Sequence, residues 1–246
     1  MTAIDVFKQS LAFYSRIFNK IFWISFVSSL IPIIVMSASA TGQPTGVELV
    51  MSTLASMFFS VYMMALIHQF SQDQNDSLSD AFSLTLKKVL PVTLTGFVFG
   101  LVVLVAVIPG AVLGGVLSSG IENEQLKNLL IAIVIAIPVG YVLYRCFFAA
   151  YFTMVDGLNP IEALKASNQQ IKGNKLIFRA FFLLSALMLP YILILVSLNF
   201  MLALSPVLKS FLEFTLNVLV MPFFSVFIYR LFVVSKPVSL DEDDGE

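Results

Sequence analysis

A chain of 246 residues that is 59% hydrophobic and 12% charged, with a mean hydropathy of +0.95, is too apolar for a soluble domain, where apolar usage is roughly 45–50% and charge about 25%. Fourteen Lys and Arg against fifteen Asp and Glu leave a net charge of −1, so no basic surplus exists to neutralise phosphates and nucleic acid is not an expected partner. One cysteine, Cys146, and one histidine, His68, exclude an intrachain disulfide, a cysteine-rich metal cluster and any two-histidine metal motif.

A helix that satisfies its own backbone in hydrocarbon needs about 20 mostly apolar residues to cross a bilayer. Six stretches meet that requirement, at residues 21–40, 49–70, 89–117, 128–155, 180–208 and 210–229. The only charges within or at the end of them are Arg145, Glu213 and Arg230. Apolar residues cover more than one face of each stretch, as a lipid-facing or bundle-buried helix requires, and no short alternating segments suggest a transmembrane barrel.

Short cytoplasmic loops collect Lys and Arg, and here eleven of these residues fall on one side. They are Lys8, Arg16 and Lys20 before the first span, Lys87 and Lys88 in the second loop, Lys165, Lys172, Lys175 and Arg179 in the fourth, and Arg230 and Lys236 after the last. Only Lys127 and Lys209 fall on the other side, so both termini are expected in the cytoplasm. A rival reading of the N-terminus is a secretory signal, because an apolar core is followed by Ala38-Ser39-Ala40. Against it, the twenty residues before the core are long and amphipathic, and the first span belongs to a repeated set.

That repeat is visible at Thr2-Ala3-Ile4-Asp5-Val6-Phe7-Lys8-Gln9-Ser10, which aligns with Ser77-Leu78-Ser79-Asp80-Ala81-Phe82-Ser83-Leu84-Thr85 and with Asn159-Pro160-Ile161-Glu162-Ala163-Leu164-Lys165-Ala166-Ser167. Each block opens with a helix-capping residue and carries a carboxylate three positions later, the pattern that satisfies the first free amides of a helix. Prolines 27, 29 and 28 residues beyond these carboxylates, at Pro32, Pro109 and Pro190, fall in the following spans. Among the return spans, Phe58-Phe59-Ser60-Val61 reappears as Phe223-Phe224-Ser225-Val226, and Tyr144-Arg145 as Tyr229-Arg230. Phe7, Leu11, Tyr14 and Phe18 lie on one face of the first block's helix, as do Leu78, Phe82, Thr85 and Val89 on the second, which marks them as interfacial.

The expected fold is therefore all-α: a polytopic membrane bundle of six transmembrane helices, arranged as three parallel two-span repeats, each preceded by a short cytoplasmic amphipathic helix. It forms one domain over residues 1–235, with repeats at about 1–75, 76–157 and 158–235. Residues 236–246 follow as an acidic, disordered cytoplasmic tail.

Pro138-Val139-Gly140-Tyr141 through Arg145, Val155-Asp156-Gly157, Glu162-Ala163-Leu164-Lys165-Ala166-Ser167, Lys172-Gly173-Asn174 and Val107-Ile108-Pro109-Gly110 resemble the YciC family of bacterial inner-membrane proteins. More distantly, they resemble the membrane domains attached to some glycerophosphodiester phosphodiesterases. The resemblance covers most of the chain in the number and order of spans. It implies a multi-pass, six-span protein of the bacterial inner membrane without a defined biochemical activity, and it brings no catalytic residues.

No phosphate-binding glycine loop, His-Glu-x-x-His or Gly-x-Ser-x-Gly pattern occurs, and no cofactor, metal or catalytic residue is expected. His68 reads as an interfacial polar residue and Cys146 as a small hydrophobe in an apolar run. Arg145 is the most informative side chain, because a charge inside a span marks a bundle interior, a water-filled cavity or a partner, unless its stem carries it to the headgroups. Arg230, nearer a helix end, reaches headgroups more easily, and Glu213 is expected near the outer surface or paired with Lys209. Gly96, Gly100, Gly110 and Gly114 fall within about 80° of one another at 3.6 residues per turn, a stripe for close helix packing. Two functions lead: a non-catalytic membrane protein acting through contacts with membrane lipids or other membrane proteins, and a transporter or channel for a small solute or lipid with Arg145 on its pathway; a third, an intramembrane enzyme, has the least support, because no pair of acid and base groups converges.

Overall fold

In the computed structural model, which describes residues 1–38, 45–72, 78–200 and 206–236, every regular element is helical. Capping residues set where the helices begin. The Thr2 hydroxyl accepts from the Asp5 amide at 3.2 Å, while the Asp5 carboxylate accepts from the Thr2 amide at 2.7 Å, a reciprocal box that opens α1 (Ala3–Ala38). Bonds from the Thr2 amide and hydroxyl hold the Asp5 carboxyl below its ordinary pKa. Thr45 and Glu48 form a second box at the start of α2 (Gly46–Ser71), and Asn123 caps α4 (Glu124–Arg145). Asn159 caps α6 (Pro160–Ile171), with Pro160 in the first turn, where its missing donor is not needed. Asn174 caps α7 (Lys175–Phe200) through the Leu176 and Ile177 amides. The remaining long helices are α3 (Leu78–Leu117) and α8 (Pro206–Ser235).

Among the described residues, five helical stretches are long and apolar enough to cross a membrane: Gly46–Ser71, Leu78–Leu117, Glu124–Asp156, Lys175–Ser197 and Phe211–Ser235. They fit an integral, multi-pass membrane protein. The first expected span, 21–40, occupies the second half of α1, and its last two residues belong to the stretch 39–44. Those residues, which include most of the signal-like cleavage site, lie outside the described residues, as do Ser77, the acidic tail from 237 onward and the side chains of Pro32 and Lys209.

Two features depart from the sequence expectation. The amphipathic segments before the first and third spans are not separate helices. No glycine separates segment from span, and each continues into its span, in the second case through Pro91, giving helices of 36 and 40 residues. A 40-residue helix is about 60 Å long, against a hydrocarbon core of about 30 Å. Only the third segment is a helix of its own, because Lys172-Gly173-Asn174 intervenes: Gly173 takes φ 76°, open to glycine, and Asn174 starts α7. The second departure is in the fourth span. Expected as one helix over 128–155, it stops at Arg145 and resumes as a single turn, α5 (Ala149–Tyr151), followed by a π-helical turn at Phe152–Asp156.

The chain packs as two units, Met1–Val89 with Asn174–Glu246, and Leu90–Gly173. In the first, α1 packs along α8 and α2, and α7 along α8. Val6, Ile21, Leu66, Ile67, Phe227 and Phe232 form its buried centre. Phe7 meets Phe223 and Phe227 with ring centroids 5.5 and 6.3 Å apart. Phe82 meets Phe58 and Tyr62 at 5.7 and 6.2 Å.

In the second unit, α3 and α4 approach at Gly110 and Gly114. A Cβ on Gly110 would lie 2.8 Å from the Ile135 Cα, and one on Gly114 3.1 Å from the Ile131 Cα, so backbone meets backbone only because side chains are absent. Among the described residues, a Cβ on Gly96 or Gly100 would meet nothing within 4 Å beyond its own stretch of helix. Among the described residues of the chain, the glycine stripe is therefore met by another helix in its C-terminal half. The buried hydroxyls of Thr95 and Thr153 bond at 2.8 Å, tying α3 to the π-helical turn.

Candidate functional site

The two arginines of the repeated Tyr-Arg pairs fall in different units and have similar surroundings. Arg145 closes α4, where a cation is favoured by the carboxyl end of the helix dipole. Its guanidinium carbon sits 5.8 Å from the Tyr141 ring centroid, one turn back towards the helix start. Arg230, on α8, sits 5.7 Å from the Phe13 ring centroid of α1. Both are partly buried, and the Nε of each is buried with no hydrogen-bond partner. A guanidinium offers five donors in a planar fork, and a buried donor without an acceptor is costly. Chemically, each position suits a ligand that brings oxygen acceptors, such as a phosphate or carboxylate.

The chain after Arg145 is held open by α6. The Phe148 amide donates to the Ser167 hydroxyl at 3.0 Å, and that hydroxyl donates to the Arg145 carbonyl at 3.1 Å. Phe148 and Ser167 are both fully buried. Gly157, at φ 70°, turns the chain from the π-helical turn towards α6.

Beside Arg230, the Tyr229 hydroxyl joins α8 to the end of α2. Ser71 has one hydroxyl proton and gives it to the His68 carbonyl at 2.7 Å. The Tyr229 hydroxyl therefore donates to Ser71 Oγ at 2.7 Å and accepts from His68 Nδ1–H at 2.9 Å. His68 thus links two helices in a closed ring of hydrogen bonds. Glu213 is partly exposed; its carbonyl accepts from the Asn217 amide at 2.9 Å, and Asn217 Oδ1 accepts from Tyr191 at 2.6 Å, joining α7 to α8. Cys146 is partly exposed in the break after α4. Among the described residues no three His, Cys, Asp or Glu side chains come together as a metal site.

Sequence reasoning singled out Arg145, Arg230 and, through the repeated pair, Tyr229, but missed the Ser167 hydroxyl that bonds the Arg145 carbonyl and the Ser71 hydroxyl that bonds Tyr229. A signal for Ser167 was available: the ninth residue of each aligned block is a hydroxyl, at Ser10, Thr85 and Ser167, and all three are fully buried. Comparison with protein families, curated proteins and solved structures returns no match.

Proposed function

We propose that the chain is a six-span protein of the bacterial inner membrane, of the YciC kind, with both termini in the cytoplasm. It acts without catalysis, by holding anionic lipid headgroups at Arg145 and Arg230, and membrane proteins are further candidate partners. The carrying observation is that the arginine of each Tyr-Arg pair stacks on an aromatic ring and keeps a buried Nε with no acceptor. A headgroup phosphate supplies that acceptor in the place where a membrane protein meets it most often.

Support for the three parallel repeats comes from equivalent ring contacts. In the sequence alignment Phe7 corresponds to Phe82, Phe223 to Phe58 and Phe227 to Tyr62. Phe7 lies 5.5 and 6.3 Å from its two partners, and Phe82 lies 5.7 and 6.2 Å from the corresponding pair. Each amphipathic segment also packs against a return span: the first on α8, the second on α2, and the third, through Ser167, on the end of α4. In the third copy Leu164 stands where Phe7 and Phe82 stand, and the ring contact gives way to a hydroxyl contact.

The test is native mass spectrometry of protein released from nanodiscs made of equal parts phosphatidylglycerol and phosphatidylcholine. Wild type is expected to retain phosphatidylglycerol preferentially, and Arg145→Leu to lose about tenfold in retention, the worth of one charge-assisted hydrogen bond. Arg145→Lys is expected to recover only part of it, because a lysine lacks the fork. Wild-type retention in the Leu variant contradicts the headgroup reading, and full recovery with Lys reduces Arg145 to an anchor.

A further inference from the structure

Nothing in the sequence around the break in the fourth span ends a helix. Arg145-Cys146-Phe147-Phe148-Ala149-Ala150 contains neither proline nor glycine, and every residue in it is tolerated in a helix interior. Yet Cys146 takes φ −105° and ψ 11°, outside the helical region.

In an unbroken helix the Phe148 amide would donate to the Tyr144 carbonyl and the Ala149 amide to the Arg145 carbonyl. Here the Ala149 amide goes to the Cys146 carbonyl at 3.0 Å, one residue too near. The two groups left over, the Phe148 amide and the Arg145 carbonyl, both go to the Ser167 hydroxyl. A side chain inserted into the backbone ladder is a recognised cause of a sharp bend. A hydroxyl suits the task because it accepts and donates at once.

The equivalent hydroxyls behave differently. Ser10 donates to the Val6 carbonyl and Thr85 to the Ala81 carbonyl, both at 2.7 Å and both within their own helices. Of these three equivalent positions, Ser167 is the one whose hydroxyl serves the backbone of another helix.

We propose that Ser167 is the positioning residue for Arg145: its hydroxyl keeps the fourth span broken directly after Arg145, so that the guanidinium stays open to an anionic headgroup. Without that hydroxyl, a buried amide and a buried carbonyl lose their partner, and closing the helical ladder is the cheapest repair. Closure carries Phe148 out of its buried site. Three residues on from Arg145 and leaning towards the helix start, its ring would then cover Arg145. This inference rests on the headgroup reading of Arg145 given above.

The single cysteine supplies the readout. With carbon-13 on the cysteine carbonyl and nitrogen-15 on phenylalanine amides, only the Cys146–Phe147 peptide gives a coupled signal, because the chain has one cysteine. In the full-length protein in mild detergent, the wild-type Cys146 carbonyl is expected outside the helical range. Ser167→Ala is expected to move it into that range, and Ser167→Thr, which keeps the hydroxyl and has the precedent of Thr85, to leave it in place. In the phosphatidylglycerol nanodisc measurement, Ser167→Ala is expected to lose about tenfold in retention and Ser167→Thr to recover it.

An unmoved carbonyl signal in Ser167→Ala overturns the proposal. So does a moved signal with unchanged retention in Ser167→Ala while Arg145→Leu loses it; in that case the headgroup reading survives. Equal retention in Arg145→Leu and wild type overturns the headgroup reading itself, and with it the positioning role.

Discussion

The most apolar part of α8 and α4, the unbroken part of the fourth span, are both strongly hydrophobic, yet half of the first is buried inside the protein and no residue of the second. In α8, Val226, Phe227, Leu231 and Phe232 are wholly enclosed. On α3 and α4, large side chains such as Phe97 and Ile137 are 64% and 70% exposed. Hydropathy therefore identifies which segments leave water, but not which of them meet protein. In a bilayer an exposed phenylalanine costs nothing, because lipid tails are as apolar as the side chain. What draws helices together is fit: rings edge to face in one unit, and missing side chains in the other.

The two regions should differ most in what a truncated phenylalanine costs. Phe227→Ala should destabilise the protein by about 3 kcal/mol, as truncation of an enclosed ring does, whereas Phe97→Ala should change stability by less than about 0.5 kcal/mol. Thermal unfolding in mild detergent reads both. Similar losses at the two positions would mean that burial in the structure does not carry the packing energy.

A smaller effect separates two halves of one helix. Gly110→Leu forces a Cβ to within 2.8 Å of the Ile135 backbone and should cost about 1–3 kcal/mol as overpacking. Gly96→Leu, with nothing within 4 Å, should be close to silent in the monomer. Unfolding midpoints of the two variants at matched detergent check this. A large loss at Gly96 instead would require a contact beyond this single chain.

Much of the architecture was legible because hydropathy and capping act locally. Thr2, Asn159 and Pro160 start helices as their chemistry dictates. The break after Arg145 was not legible, because its cause lies twenty-two residues away in the Ser167 hydroxyl and not in residues 146–148. The glycine stripe was legible as a stripe, but sequence alone could not say that Gly110 and Gly114 are the members of it that lie against α4, at Ile135 and Ile131. Arg145 and Arg230 stood out as charges in apolar segments. The Tyr229, His68 and Ser71 ring did not, since each is an ordinary polar residue until the fold brings α2 and α8 together.

The proposed topology has six crossings, with the second half of α1 as the first. Six crossings put both termini on one side, and five put them on opposite sides. Reporter fusions that are active on only one side of the membrane decide this directly. Fusions after residues 43, 122 and 205 should report the outer side, and those near 75, 168 and 240 the cytoplasm, as the bias of eleven Lys and Arg against two predicts. Cytoplasmic activity at 43 together with 75, or an external signal at 240, would contradict the six-span protein.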